Sequence, residues 1–136
     1  MTSDPNKKKA SSEAAWALLM EGVASARLEA HRLKHLISRC QKLVDQSDHR
    51  EHLYQVAGDA IVDMPNRLQR LETELDRTAL ALSGMGEDFL SARLPLSEKQ
   101  LVEETLQPGF GGSQLRNSVD NVARQWMLRQ MQGNGR

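Results

Sequence analysis

Aromatic residues, cysteine, net charge and long apolar runs are all scarce or missing in this chain of 136 residues. An aromatic content of 4% predicts a modest, mainly aliphatic core, and the single cysteine, Cys40, excludes an internal disulfide. Because acidic and basic residues balance at 18 each, there is no general attraction to nucleic acid or to an anionic membrane. No apolar run approaches the ~18 residues that a membrane-spanning helix needs, and the polar first residues contain no signal-peptide core. We therefore expect a cytoplasmic protein with no membrane span.

Sequence motifs of catalysis and cofactor binding are missing as well. The chain contains neither the G-x-S-x-G motif of serine hydrolases nor the glycine-rich loops that bind phosphate groups. Cys40 lies within an apolar series, where a thiol behaves as a small hydrophobic side chain. The sequence thus predicts no catalytic residue, no bound cofactor and no metal site, and it favours a protein that is not an enzyme.

Two long heptad series are the main feature that the sequence does have. In each series, mostly apolar residues follow one another at alternating steps of three and four, the spacing of a coiled-coil seam. The series are Trp16, Leu19, Val23, Ala26, Ala30, Leu33, Ile37, Cys40 and Val44, then Tyr54, Ala57, Ile61, Met64, Leu68, Leu71, Leu75, Thr78, Leu82, Met85 and Phe89. A short polar stretch separates them, and a short turn makes consecutive helices antiparallel neighbours. The sequence therefore predicts an all-α fold built on a long helical hairpin over residues 12–89.

The two series also predict how the helices face each other. Folding the chain about Ser47 brings the seams together, with Trp16 opposite Thr78 and Ala26 opposite Leu68. Each arm has about 35 residues and is therefore about 50 Å long at 1.5 Å per residue. We expect an elongated molecule.

Composition and capping residues divide the rest of the chain. Residues 1–10, which contain three lysines, are expected to be a disordered basic tail. The hairpin and a short third helix, capped at its start by Ser97, occupy residues 11–107. A flexible glycine-rich linker over 108–113 leads to an amphipathic C-terminal helix over 114–132. The apolar face of that last helix consists of Leu115, Val119, Val122 and Trp126.

Residues beside the seam indicate an interaction surface. Near the turn and near the open end of the hairpin these positions are apolar, which makes the stripe wider there than two helices can bury between themselves, whereas in the middle they are charged. We expect a second copy to cover them in a four-helix bundle, as a homodimer, or another protein to do so. The C-terminal helix either docks on its own hairpin or binds a partner. The sequence thus favours a non-enzymatic interaction or assembly module. Its expected partner interface is Leu36, Leu43, Leu53, Ala60, Val122 and Trp126.

A metal or cofactor site within a helical bundle is the first alternative. His31 and His35 share a face of the first helix, and folding about Ser47 places them opposite Asp63 and Asp59. Two imidazoles and two carboxylates suit a transition metal. However, the heptad puts all four outside the seam, whereas metal sites in helical bundles need ligands that project inward. Surface pairs of histidine and aspartate are therefore the favoured interpretation.

A nucleic-acid-associated accessory protein is the second alternative. Recognition of nucleic acid needs basic residues gathered on one face. The last helix has a basic character, but its few arginines do not all share a face, so nucleic acid is not the favoured partner. These arginines are Arg116, Arg124, Arg129 and Arg136.

Overall fold

Four helices make up the part of the chain that the computed structural model describes, which is residues 5–46, 52–85, 95–107 and 109–134. They are α1 (Pro5–Gln46), α2 (His52–Ser83), α3 (Leu96–Leu106) and α4 (Ser113–Asn134). No strand occurs in these ranges, so the predicted all-α class is confirmed. None of the described helices is long and apolar enough to cross a membrane.

The start of α1 lies earlier in the chain than the sequence predicts. The helix begins at Pro5, within the region 1–10 that composition assigns to a disordered tail. Proline is favoured in the first turn of a helix, because its φ angle is already helical and its missing N–H would have no helical partner there. The lysines and the alanine that follow are good helix formers. The tail prediction is therefore wrong from Pro5 onward, and residues 1–4 lie outside the described ranges.

The first two helices pack as an antiparallel hairpin along the predicted seam. All nine seam residues of α1, from Trp16 to Val44, are buried. On α2 the seam is buried from Tyr54 to Leu71, and the helix continues unbroken through Pro65. Farther from the turn Thr78 is still buried, whereas the other seam residues, Leu75, Leu82 and Met85, are partly exposed. The predicted seam is thus the main core, while its last predicted residue, Phe89, lies outside the described ranges.

The register of the hairpin differs from the predicted one by about one heptad. Thr78 lies opposite Gly22, because its Oγ1 is 3.0 Å from the position that a Cβ on Gly22 would occupy. Folding about Ser47 would instead place Thr78 opposite Trp16, so the predicted pairing is wrong. A slip of seven residues brings seam positions back onto seam positions, so the heptad pattern satisfies both registers equally. Ser47 itself lies outside the described ranges.

Helices α3 and α4 lie along one side of the hairpin as a third helix divided into two segments. Val102 of α3 is buried in an apolar cluster near the end of the hairpin away from the turn, here named the far end. That cluster also contains Trp16, Leu19 and Val23. Helix α4 packs along the half of the hairpin near the turn, here named the turn end, where Leu115, Val119 and Val122 are buried against both long helices. Three helices therefore pack together along both halves of the molecule.

The start of α3 is not capped in the predicted way. The helix begins at Leu96, with Pro95 as the preceding cap residue and no hydrogen bond from a capping side chain. Instead, the carbonyl oxygen of Pro95 accepts hydrogen bonds from the backbone N–H groups of Glu98 and Lys99. Ser97 is therefore inside the first turn and is not the cap. Proline fixes the φ angle at the entry to the helix, but it supplies no side-chain acceptor for the free N–H groups of the first turn.

The connection between α3 and α4 is packed against the hairpin, although the sequence predicts a flexible linker there. The Phe110 ring lies 5.3 Å from the guanidinium carbon of Arg27 and 5.6 Å from the ammonium of Lys34. Gly111 is buried, and a Cβ on it would lie only 2.7 Å from Cδ1 of Leu75. Glycine therefore serves close approach of the backbone to the core at this point, and the linker prediction is wrong for these residues.

Candidate interaction surface

The two sides of the hairpin seam differ in what covers them. On α1, Arg27 and Lys34 contact Phe110, and the Gln41 side-chain amide donates a hydrogen bond to the side-chain oxygen of Gln125. These three α1 residues are spaced by seven, so they lie on one side of the helix. The third helix therefore covers this side of α1 over about half of its length.

The matching side of α2 receives α4. Gly58 is buried beneath the indole of Trp126, where an added Cβ would lie 2.7 Å from ring atom Cε2. The Tyr54 hydroxyl donates a 3.1 Å hydrogen bond to the Trp126 carbonyl, and the two rings stack with centroids 6.0 Å apart. Two heptads beyond Gly58, the Glu72 carboxylate accepts a 2.7 Å hydrogen bond from Arg116. The C-terminal helix thus docks on its own hairpin.

Two of the six predicted partner residues consequently lie inside the chain's own packing. Val122 is completely buried, and Trp126 packs against the core of the hairpin. Neither is available to a partner while α4 is docked, which is a correction to the sequence-based interface. The indole N–H of Trp126 is buried without a hydrogen-bond acceptor among the described residues. Close packing against Gly58 therefore fixes the position of this ring, and a hydrogen bond from the indole N–H does not.

The polar contact at the edge of this covered side is an exposed ion pair. Arg116 reaches both carboxylate oxygens of Glu72, at 2.7 and 2.8 Å. The hydrogen bond to Glu72 and the attraction of its charge raise the pKa of Arg116 above its usual value. Exposed ion pairs stabilise little. This contact therefore contributes more to the position of α4 than to the free energy with which α4 packs on the hairpin.

The opposite side of the seam is here named the uncovered face, because the contacts of α3 and α4 within the described ranges lie on the first side. Leu36, Leu43 and Ala60 are only partly buried there, and Leu53 is 56% exposed. The other four predicted partner residues therefore share this face. Its members are Ala15, Gly22, Glu29, Leu36 and Leu43 on α1, and Leu53, Ala60, Arg67, Glu74 and Ala81 on α2.

The uncovered face has a different surface at each end. The turn end carries the larger apolar side chains, Leu36, Leu43 and Leu53. At the far end, small residues leave a groove of about 620 Å³ that is open to solvent. Its wall includes Ala15, Leu18, Gly22, Thr78 and Ala81. The face thus combines leucines at one end with a concave, mainly apolar surface at the other, whose wall also includes Glu74 and Arg77.

Charged residues lie in the middle of the uncovered face. Glu29 forms a 3.4 Å ion pair with Arg32, and Arg67 forms a 3.0 Å ion pair with Asp63. The four side chains remain 42 to 60% exposed. Ion pairs this exposed contribute little to stability, so these charges are free to form new pairs with a partner.

Reactive side chains do not gather anywhere in the described part of the chain. Cys40 is buried, and burial raises the pKa of its thiol although Arg39 nearby acts in the opposite direction. A raised pKa disfavours the thiolate, which is the nucleophilic form. Cys40 therefore acts as a core residue.

The four residues of the alternative metal site are all exposed, and Asp63 is paired with Arg67. Among the residues that the structure describes, no group of three or more histidine, cysteine or acidic side chains is placed to hold a metal ion. The geometry therefore offers no support for the metal alternative. These four residues are His31, His35, Asp59 and Asp63.

The groove at the far end was predicted only in part. The sequence indicates a wide apolar stripe there, because Ala15, Gly22 and Ala81 stand beside the seam. It does not indicate that small residues of the two helices come level and leave a groove. No protein-family model, curated protein or solved structure matches this chain, so its function is inferred from the surface itself.

Proposed function

We propose that this protein is a non-enzymatic interaction and assembly module that self-associates through the uncovered face of its hairpin. One observation supports this most: the chain's own third helix fills one side of the seam and leaves leucines partly exposed on the other. Leu53 is 56% exposed, and Leu36 and Leu43 lie beside it on the same face. Pairing of two hairpins through these faces would form a four-helix core.

The size of the face is adequate for a stable complex. From Ala15 to Leu43 it extends over about 28 residues, or ~42 Å of helix, and two helices give a width of ~20 Å. Each copy would therefore bury on the order of 800 Å², or ~1,600 Å² in total, which is the usual size of a specific protein interface. The apolar turn end would supply most of the free energy of association.

Sedimentation equilibrium at micromolar concentration tests the proposal. We expect a mass of twice the 15.3 kDa of one chain. Leu43→Glu and Leu53→Glu should both shift the mass toward the monomer, because each places a charge in the apolar half of the interface. Leu53 contributes little to the core at 56% exposure, so its variant keeps the test valid if Leu43→Glu fails to fold.

Leu80→Glu is the matched control, because Leu80 is 73% exposed on α2 but lies outside the uncovered face. It should leave the mass unchanged, and circular dichroism should show the same helix content for all variants. A monomeric wild-type protein across this concentration range would overturn self-association. Equal effects of Leu53→Glu and Leu80→Glu would overturn the assignment of the face.

A further inference from the structure

We infer that the partner on the uncovered face is a second copy in antiparallel orientation, with the turn end of each hairpin over the far end of the other. This inference rests on the proposed function, because it specifies how the self-association is built. The two copies are related by a two-fold axis perpendicular to the helices, near the level of Ala30. Each copy then contributes its leucines and its groove once.

Shape is the first reason for this orientation. With the axis near Ala30, Leu43 of one copy lies level with Leu18 and Gly22 of the second copy, at the groove of about 620 Å³. Truncating one buried leucine leaves a cavity on the order of 150 Å³, so the groove has room for more than one leucine side chain. In the opposite orientation, with both turns at the same end, the two grooves would face each other and stay empty.

Charge is the second and independent reason. Thr78 lies opposite Gly22, so seven residues nearer the turn Glu29 lies level with Leu71, between Glu74 and Arg67. With both turns at the same end, Glu29 would therefore lie between Glu74 and Arg67 of the second copy. Attraction to Arg67 and repulsion from Glu74 would largely cancel, so that orientation gains no net charge pairing.

The antiparallel orientation pairs opposite charges instead. Arg67 lies about two helical turns nearer the turn end than Glu74, and the two-fold axis passes between their levels. Each Arg67 therefore lies over Glu74 of the second copy, whereas the two Glu29 residues, next to the axis, lie near each other. Each Glu29 is paired with Arg32 of its own chain, which offsets this repulsion. The two attractive pairs between Arg67 and Glu74 thus favour the same orientation as shape does.

A distance between spin labels distinguishes the two orientations directly. Gln46 is exposed at the end of α1, about 16 residues from the axis, so labels on Gln46→Cys should be roughly 50 Å apart in the antiparallel dimer. With both turns at the same end they would be roughly 15 to 25 Å apart, which is the width of the bundle. Wild-type protein serves as the labelling control, because its only cysteine, Cys40, is buried.

A charge reversal gives a second test, because it should change the affinity of the dimer in opposite directions for the two orientations. Glu74→Arg should weaken an antiparallel dimer roughly tenfold, because two attractive pairs with Arg67 become repulsive. It should strengthen the alternative dimer, because the introduced guanidinium would then face Glu29. Adding Arg67→Glu should restore the antiparallel dimer by exchanging the two charges. Glu103→Arg is the matched control, because Glu103 is exposed on α3, which covers the other side of the seam.

The results separate failure of the inference from failure of the proposed function. A dimer with labels ~50 Å apart that is weakened by Glu74→Arg supports the antiparallel orientation. A dimer with the short distance, or one strengthened by Glu74→Arg, overturns the orientation and leaves the interaction module intact. A protein that remains monomeric overturns both.

Discussion

The close fit of Trp126 over Gly58 leads to a prediction in which one substitution changes sign with its background. An ideal Cβ on Gly58 would lie 2.7 Å from Cε2 of the indole, well inside normal contact distance. Gly58→Ala must therefore displace the ring, and overpacking of this kind costs ~1–3 kcal/mol. Alanine in the interior of a helix is also ~1 kcal/mol more favourable than glycine. We expect Gly58→Ala to lower the free energy of unfolding by ~0–2 kcal/mol in total.

Removing the ring should reverse this effect. In the Trp126→Ala background the obstructing atoms are gone, so Gly58→Ala should raise the free energy of unfolding by ~1 kcal/mol through helix propensity alone. Trp126→Ala itself should cost less than the ~3–5 kcal/mol of a fully buried tryptophan, because Trp126 is only partly buried. The coupling between the two sites then equals the overpacking cost, on the order of 1–3 kcal/mol.

Urea unfolding followed by circular dichroism at four variants measures this coupling. Dichroism is the suitable signal, because fluorescence would lose Trp126 in half of the variants. Protein concentration must be the same throughout, since self-association adds to apparent stability. If Gly58→Ala changes stability by the same amount with and without Trp126, the docking of α4 described above is incorrect.

Two further predictions concern the connection and the core thiol. Phe110→Ala should lower the free energy of unfolding by ~2 kcal/mol and Phe110→Leu by ~1 kcal/mol. The difference arises because leucine restores the apolar contact but not the attraction of Arg27 and Lys34 to the ring. Equal losses of the two variants in urea unfolding would argue against a role for the ring. Burial raises the pKa of Cys40 above its usual 9.0. The folded state therefore holds this proton more tightly, so stability is unaffected below that value and falls as pH rises above it. Urea unfolding from about pH 7 to about pH 10 should show a steeper loss for wild type than for Cys40→Ala, and parallel curves would contradict the assignment.

Periodicity identified the core residues but was unable to determine their register. From Trp16 to Val44, every predicted seam residue of α1 is buried, because the three-four spacing directly reports which side of a helix faces its neighbour. A slip of one heptad leaves that pattern unchanged, so Thr78 opposite Trp16 and Thr78 opposite Val23, next to Gly22, satisfied it equally. Only the length of the turn and the contacts of a third helix distinguish the two registers.

Local composition was a weaker guide than packing in the rest of the chain. The connection containing Phe110 and Gly111 has the composition of a flexible linker, yet its glycine permits close approach to Leu75. Ser97 has the spacing of a cap, yet Pro95 already fixes where α3 begins. In both places the third helix and the hairpin determine the local structure, and a pattern confined to a few residues contains no information about them.

The sequence predicted the part of the proposed partner surface that consists of large apolar residues, but it did not predict the groove. Leu36, Leu43, Leu53 and Ala60 were recognisable because they widen the apolar stripe beside the seam. The groove near Gly22 requires knowledge of the register, since it forms where small residues of two helices come level. The assignment of Val122 and Trp126 failed because an amphipathic helix alone does not show whether its apolar face binds its own chain or another.

Methyl chemical shifts over a dilution series test the central claim most directly, because they report on both sides of the seam in one experiment. We expect the methyl signals of Leu36, Leu43 and Leu53 to shift as the dimer dissociates, while those of Val119 and Val122 stay fixed beneath the docked α4. Concentration-dependent shifts at Val119 and Val122 with none at the three leucines would contradict self-association through the uncovered face.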